Sequence, residues 1–226
     1  MSAPALEATA IRKTYGGRPL LRDISVSLEY EKLALLVGVN GSGKTTLINC
    51  ITGFDRLYTG SVRLNGSRID ALPADGRARL GVVRTFQTPH LFTTLSVREH
   101  LALGSQAGSA TGRGCFVRWR ADRLSEVVEE LSLGSLLERR CESLSYGEMK
   151  LVNIARALSS GARVLLLDEP LASLHHGRRE LVAAAIAARV YAGCAVLVIE
   201  HVTADFDAMG CRKLALVSGR IQQEGA

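Results

Sequence analysis

Short unbroken apolar runs alternate with segments whose apolar residues recur every three or four positions, and this alternation organises most of the chain. LALLV at 33–37, VLLL at 164–167 and AVLVI at 195–199 are apolar throughout and of strand length, the pattern of strands buried on both faces of a parallel sheet. Residues 44–52 and the alanine-rich stretch 178–190 take helical character and predict helices packed between such strands. Residues 24–28 and 61–64, the latter followed by Asn65-Gly66, predict an antiparallel margin. The texture changes over about 89–159, which reads as mostly helical. There Ser96-Val-Arg-Glu99 forms a capping box opening a helix to Leu103, and 123–131 gives a second amphipathic segment. They flank GSQAGSATGRG at 104–114, whose glycine and serine content predicts a mobile loop. No internal repeat is visible. The pattern predicts one α/β domain over 1–226, a core of about 1–88 and 160–226 with a mostly parallel sheet, an antiparallel β margin and an inserted helical subdomain of about 89–159.

Composition narrows this picture only a little. With 226 residues, 47% hydrophobic and 5% aromatic, the chain can bury a sizeable, aliphatic core. No apolar run approaches the roughly 18 residues that span a bilayer, and MSAPALEATA lacks the marks of a signal peptide. Five scattered cysteines without metal-ligand spacing fit reduced thiols in a cytosolic protein. The net charge of +6 permits contact with phosphates, nucleic acid or anionic lipid without choosing among them.

The strongest chemical signal is GVNGSGKT at 38–45, which meets the spacing G-x-x-x-x-G-K-[ST] between a predicted strand and a predicted helix. A strand feeding a helix through glycines leaves backbone N–H groups free at the positive end of the helix, where they bind an anion. Gly38, Gly41 and Gly43 let the backbone curl close to phosphates. Lys44 then reaches the β- and γ-phosphates and Thr45 offers its hydroxyl to Mg²⁺. A second signal, RVLLLDEP at 163–170, ends an aliphatic strand in two acids at the carboxyl edge of the sheet, where open α/β proteins bind ligands. Asp168 is expected to hold the nucleotide's Mg²⁺ and Glu169 to orient or deprotonate the attacking water. An isolated Asp-Glu is more often a solvated turn or a cap; the phosphate loop upstream shifts that balance.

Leu144-Ser-Tyr-Gly-Glu148 is on spacing alone a capping box of Ser145 and Glu148 opening a helix. Followed by MKLVNIARAL, however, it closely resembles the LSGGQ signature of the nucleotide-binding subunits of ABC transporters. The order of phosphate loop, Gln87 in RTFQ, signature, acidic strand and His201 matches that family over essentially the whole chain. The resemblance implies the phosphate-loop NTPase fold of an ABC cassette, ATP and Mg²⁺ as ligands, and an ATPase coupled to transport. It implies that Tyr15 stacks on adenine. Gly38, Asn40, Gly41, Ser42, Gly43, Lys44, Thr45 and Thr46 would cradle the phosphates, with Gln87 and Asp168 joining Thr45 at the metal. His201 would contact the γ-phosphate beside Glu169, and Ser145, Gly147 and Glu148 would complete the site of a second subunit. Taken singly, Tyr15, Gln87 and His201 read more simply as a strand-end aromatic, a surface amide and a core histidine. RTFQTPHLF, the tyrosine within the signature, NCITGF and VIEH resemble the subgroup serving importers of branched-chain amino acids and related amides.

Head-to-tail pairing of two such subunits, whether identical or paralogous, is implied because a phosphate loop encloses only one side of the γ-phosphate. Permease subunits are implied as partners, with 87–92 as the contact, a substrate-binding protein as a further component, and attachment to the cytoplasmic face of the inner membrane through the permeases. No nucleic-acid partner is expected. A non-transport ABC ATPase acting on nucleic acid or ribosomes usually has tandem cassettes or a long coiled-coil insertion, for which 226 residues leave no room. A weakly hydrolysing regulatory subunit is the other alternative, motivated by His175, which stands where the family has Asp or Asn. Tyr30-Glu31-Lys32 replaces the usual Pro-Gly-Glu type of turn before the phosphate-loop strand. The interleaved arginines and aromatics of GRGCFVRWRADR at 112–123 read as a solvated basic face, with contact to lipid headgroups or permease as the alternative.

Overall fold

The structure, a computed structural model, describes residues 3–107 and 122–223. Six strands form the central sheet in the order β10-β9-β3-β8-β7-β6, from β3 (Leu33–Val37), β6 (Val82–Arg84), β7 (Val164–Asp168), β8 (Ala195–Ile199), β9 (Arg212–Val217) and β10 (Arg220–Gln223). All neighbours are parallel except the β9–β10 hairpin. The apolar runs are buried on both faces because two cores share them. Leu35, Leu165, Leu167, Val196 and Val198 face one, while Ala34, Leu36, Leu166, Leu197 and Ile199 face the other, the period-two alternation of a strand.

The second core lies under a four-stranded antiparallel sheet, ordered β2-β1-β4-β5, of β1 (Leu6–Tyr15), β2 (Arg18–Leu28), β4 (Thr59–Leu64) and β5 (Ser67–Arg68). The expected margin is therefore present, and the segment read over 24–28 is the end of a longer strand. The β4–β5 turn is Asn65-Gly66, both at positive φ, as a tight hairpin requires. Glu31, in the turn before β3, takes φ of 60° without glycine's help. Between the sheets runs α1 (Lys44–Thr52), the span expected from the sequence, and beyond it α2 (Ala74–Arg79).

The first core is closed by the segment between β6 and β7, containing α3 (Val97–Ala107), α4 (Asp122–Glu130) and α5 (Tyr146–Leu158), and by α6 (His176–Tyr191). α7 (Ala204–Asp207) is one short turn after β8. The capping box at Ser96 forms as expected: Glu99 Oε2 accepts from the Ser96 amide at 2.8 Å, and Ser96 Oγ accepts from the Glu99 amide at 3.2 Å. The helix it opens runs past Leu103, so residues 104–107, expected in a loop, are its last turn. Gly104 is the reason: a Cβ there would come 2.6 Å from the Arg156 carbonyl, so this glycine allows α3 to lie against α5. Residues 108–121, and with them most of the basic segment read over 112–123, lie outside the described residues. α6 starts two residues before the expected 178. Cys50, Cys141, Cys194 and Cys211 are free thiols. Among the described residues no helix is long and apolar enough to cross a membrane.

Candidate functional site

Parallel strands deliver their carboxyl ends to one edge of the sheet, and every polar motif read from the sequence at the end of a strand lands there. β3 ends at the phosphate loop, β7 at Asp168, β8 just before Glu200-His201 and β6 three residues before Gln87. Together they border a cavity of about 470 Å³ lined by Leu20, Asn40, Gly41, Gly43, Lys44, Thr45, Thr46, Gln87, Glu169 and His201.

The phosphate loop has the geometry of an anion cradle. Gly41 and Gly43 sit at φ of 76° and 105°. A Cβ on Gly38 would lie 2.6 Å from the Leu216 carbonyl, so the loop fits against β9 only without a side chain. Among the described residues no side chain caps α1, whose N-cap is Gly43, and Ser42 Oγ is buried without a hydrogen-bond partner. The buried Lys44 ammonium folds back to donate to the carbonyls of Gly38 at 2.6 Å and Val39 at 3.1 Å. An open helix N-terminus, an orphaned hydroxyl and an ammonium bonded only to neutral carbonyls are donors that a polyphosphate would satisfy.

Thr45 Oγ1 donates to Asp168 Oδ2 at 3.0 Å, so the two expected metal-binding oxygens already meet. Burial pushes the Asp168 carboxyl above the usual range, against Thr45 and Arg84, whose guanidinium lies 3.7 Å away. Hard oxygens of this kind suit Mg²⁺. Among the described residues no cluster of three or more His, Cys, Asp or Glu could hold a metal, so a cation here needs ligands from phosphates and water as well.

Glu169 turns left-handed, with φ of 48°, while its amide still donates to the Ile199 carbonyl at 2.9 Å. That conformation costs a non-glycine residue on the order of 1 kcal/mol. Its two oxygens are both engaged: Gln87 Nε2 donates to Oε2 at 3.1 Å, and His201 Nε2 lies 3.3 Å from Oε1. Three residues separated widely in sequence are thus one cluster. The loop after Glu169 is held by groups that the motifs did not single out. Glu200 Oε1 accepts from the Leu171 amide at 2.6 Å, and the buried Lys150 ammonium donates to the Ala172 carbonyl at 2.6 Å. Thr85 Oγ1 accepts from the Asp168 amide at 3.1 Å. Thr85 lies within RTFQ, Glu200 within VIEH and Lys150 two residues past the signature, and nothing else marks them in the sequence.

Tyr15 and the signature residues Ser145, Gly147 and Glu148 stand apart from this cavity. Tyr15 is half exposed at the tip of the β1–β2 hairpin, its hydroxyl donating to Asp55 Oδ2 at 2.7 Å. Ser145 caps α5 as the capping box requires: its amide donates to Glu148 Oε2 at 2.7 Å and its Oγ accepts from the Glu148 amide at 3.3 Å. Arg139 donates to Glu148 at 3.0 Å, and Ser145 remains exposed. His175 is the N-cap of α6, exposed, and makes no side-chain cap.

On the flank of the site, α1, α2 and β6 on one side and α3 and α5 on the other border a groove of about 740 Å³ containing Phe54, Phe86, Phe92 and Leu103. Phe54 and Phe92 are more than half exposed, and Phe54 meets Phe86 edge-on at 5.1 Å. Arg84 lies 4.3 Å from the Phe86 ring, donates to the Asn49 side chain and reaches towards Asp168.

The ABC transporter family model matches residues 21–172. The high-affinity branched-chain amino acid transport ATP-binding protein BraF of Pseudomonas aeruginosa is 35% identical over 213 residues, covering 89% of this chain and 83% of that protein. LivG of Escherichia coli K12, which bears the same description, is 32% identical over 212 residues, with the same coverage of 89% and 83%. A crystal structure of an ATP-binding cassette of an ABC transporter in its ADP conformation superposes with a TM-score of 0.80 at 29% identity, over 99% of this chain and 91% of the other.

Proposed function

We propose, from the premise that this chain belongs to the ABC transporter family as an ATPase subunit, that it powers the import of amino acids or similar small polar solutes. The observation that carries the hydrolytic part is Glu169, which faces the phosphate-loop cavity with Gln87 on one oxygen and His201 near the other. The solute class is supported by the names of BraF and LivG and by the motifs shared with that subgroup.

The residues divide the work. The phosphate loop and Lys44 bind the triphosphate, and Thr45 and Asp168, with Gln87, would hold Mg²⁺, which supplies charge neutralisation on the phosphates. Before the reaction each Glu169 oxygen already has a partner, so Gln87 and His201 compete with the attacking water for the carboxylate. Turning Gln87 and His201 from Glu169 towards the bound anion and cation frees an oxygen for the attacking water. His201 then stands as a donor to the γ-phosphate and Gln87 as the link to 88–92.

The open face of the site requires a second subunit, identical or paralogous. The exposed Ser145, with Gly147 behind it at the N-terminus of a 13-residue helix, would present donors and the helix dipole to the partner's γ-phosphate. The helical segment of about 89–159 would then move against a core of about 1–88 and 160–226, within one domain. The aromatic groove containing Phe54, Phe86 and Phe92 suits a permease element, because exposed aromatics around a polar-rimmed concavity favour protein contact. A substrate-binding protein would complete an importer, and the subunit would lie on the cytoplasmic face of the inner membrane through its permeases. A weakly hydrolysing regulatory role is the second reading, motivated by His175, which stands where the family has Asp or Asn.

Glu169→Gln tests the first reading. Turnover should fall by roughly two to four orders of magnitude while nucleotide affinity survives, and the variant should accumulate as an ATP-bound dimer on size exclusion. Parental turnover in this variant would sink the assignment.

A further inference from the structure

A buried lysine needs a reason, and Lys13 has an unusual set of partners. It is 4% exposed at the end of β1 and donates to Asp55 Oδ1 at 2.7 Å and to the Leu57 carbonyl at 2.7 Å. Its ammonium also lies over the Tyr15 ring, 4.7 Å from the centroid. Tyr15 in turn donates its hydroxyl to the other oxygen of Asp55 at 2.7 Å. Asp55 is itself fixed, accepting from the Leu57 amide at 3.0 Å, while its own amide donates to the Asn49 carbonyl of α1 at 3.1 Å. One carboxylate thus joins the hairpin tip to the helix that begins with Lys44 and Thr45.

Stability alone does not account for the pair. A largely buried ion pair contributes little over a well-packed apolar pair of the same volume, because desolvation offsets the attraction. What the pair does supply is direction. The hydroxyl anchor and the ammonium together set the plane of a ring that is otherwise 51% exposed. A cation over one face leaves the opposite face for another planar group and draws electron density from the ring towards itself. The cavity is close by: Arg18 pairs with Tyr15 across the hairpin, and Leu20, two residues on, lines the phosphate-loop cavity. We propose that Lys13 and Asp55 are positioning residues for nucleotide binding, holding Tyr15 as a fixed platform on which the adenine base stacks. This rests on the reading of Tyr15 as the aromatic that meets adenine. Burial works against the Asp55 carboxylate, but its bonds from Lys13, Tyr15 and the Leu57 amide outweigh it and keep the group ionised. The bond to Asp55, and burial after it, push the Tyr15 phenol up to about 12, so the hydroxyl keeps its proton.

The test separates the base from the phosphates. Calorimetric Kd values for ATP and for inorganic tripolyphosphate, both with Mg²⁺, give a ratio that reports only what the nucleoside adds. Tyr15→Leu should lower that ratio about tenfold, the scale of one base stacked on an aromatic ring. Tyr15→Phe, which leaves both charges in place, should lower it roughly threefold, and the double variant Lys13→Met/Asp55→Leu, which leaves no orphaned charge, roughly three- to fivefold. Tripolyphosphate affinity should stay within about twofold of the parent throughout, and the urea midpoint of the double variant at or above the parental value. Parental ratios in Tyr15→Phe and the double variant, with a lowered ratio in Tyr15→Leu, would overturn the positioning role and leave the stacking reading standing. A parental ratio in Tyr15→Leu would remove both. Parallel loss of ATP and tripolyphosphate affinity in the double variant would also overturn the proposal, since the pair would then act through α1 and not through the base.

Discussion

The two ends of α1 make opposite use of the same helix. At its N-terminus the cap is a glycine with no side-chain bond, and among the described residues Ser42 Oγ is buried without a partner and Lys44 is bonded only to carbonyls of its own loop. At its C-terminus little is left over. Gly53 closes the last turn in a left-handed conformation, and the fully buried Arg77 donates to the carbonyls of Cys50 at 2.8 Å and Ile51 at 2.7 Å. Its remaining donors go to Leu72, Asp70 and Tyr58. Both ends answer the helix dipole, which favours an anion at the start and a cation at the finish. The finish is served permanently by a side chain and so anchors the fold; the start is left open and so binds a ligand.

Breaking each end should therefore give opposite phenotypes. Lys44→Ala should lower ATP affinity and turnover together by about two orders of magnitude or more, with the urea midpoint nearly parental, as read by calorimetry and steady-state hydrolysis. Whether the open end is closed by a second copy is tested by Ser145→Arg, which should abolish turnover although Ser145 lies outside the cavity of its own subunit. Mixing it with Lys44→Ala subunits should recover part of the activity, since one of the two composite sites then carries neither change. Equal loss in every mixture would refute head-to-tail closure. Arg77→Met should do the reverse of Lys44→Ala. Leaving several buried carbonyls without a donor should cost about 3–5 kcal/mol in urea unfolding, while the ATP affinity of the remaining folded protein stays within about threefold. A large loss of affinity at parental stability would erase the distinction between the two ends.

The smallest effect concerns another helix start. His175 occupies the N-cap of α6 without capping it, and aspartate is a preferred residue there, so His175→Asp should add about 0.5–1 kcal/mol of stability. Turnover should be kept or raised. An unchanged unfolding midpoint would show that the exposed imidazole already serves the cap as well as a carboxylate.

Legibility in the sequence followed the density of local signals. α1 was readable to the residue because the phosphate loop starts it and Gly53 ends it. The Asn65-Gly66 turn and the Ser96–Glu99 box were equally plain, each being a local geometry that few residues satisfy. The β1–β2 hairpin was read only at one end, because register shifts after Ala8, Ile11 and Lys13 disturb the alternation that marks a half-buried strand. The end of α3 was misread for the opposite reason. Gly104 looks like a breaker from its neighbours, and only the Arg156 backbone across from it shows why a glycine continues a helix there.

The chain by itself determined the phosphate loop, the acidic end of β7 and the capped helix at Ser145, because each is a relation among residues within one turn or one strand. Tertiary structure decided what those residues meet. That Glu169 lies between Gln87 and His201, that Thr45 reaches Asp168, and that Asp55 meets both Lys13 and Tyr15 depends on contacts 32 to 123 positions apart in sequence. Parallel pairing of β3, β6, β7 and β8 brings most of these groups to one edge. No local pattern encodes such distances, since side-chain spacing along a strand or helix repeats within a few residues, whereas the order of strands in a sheet is settled by which apolar faces bury one another.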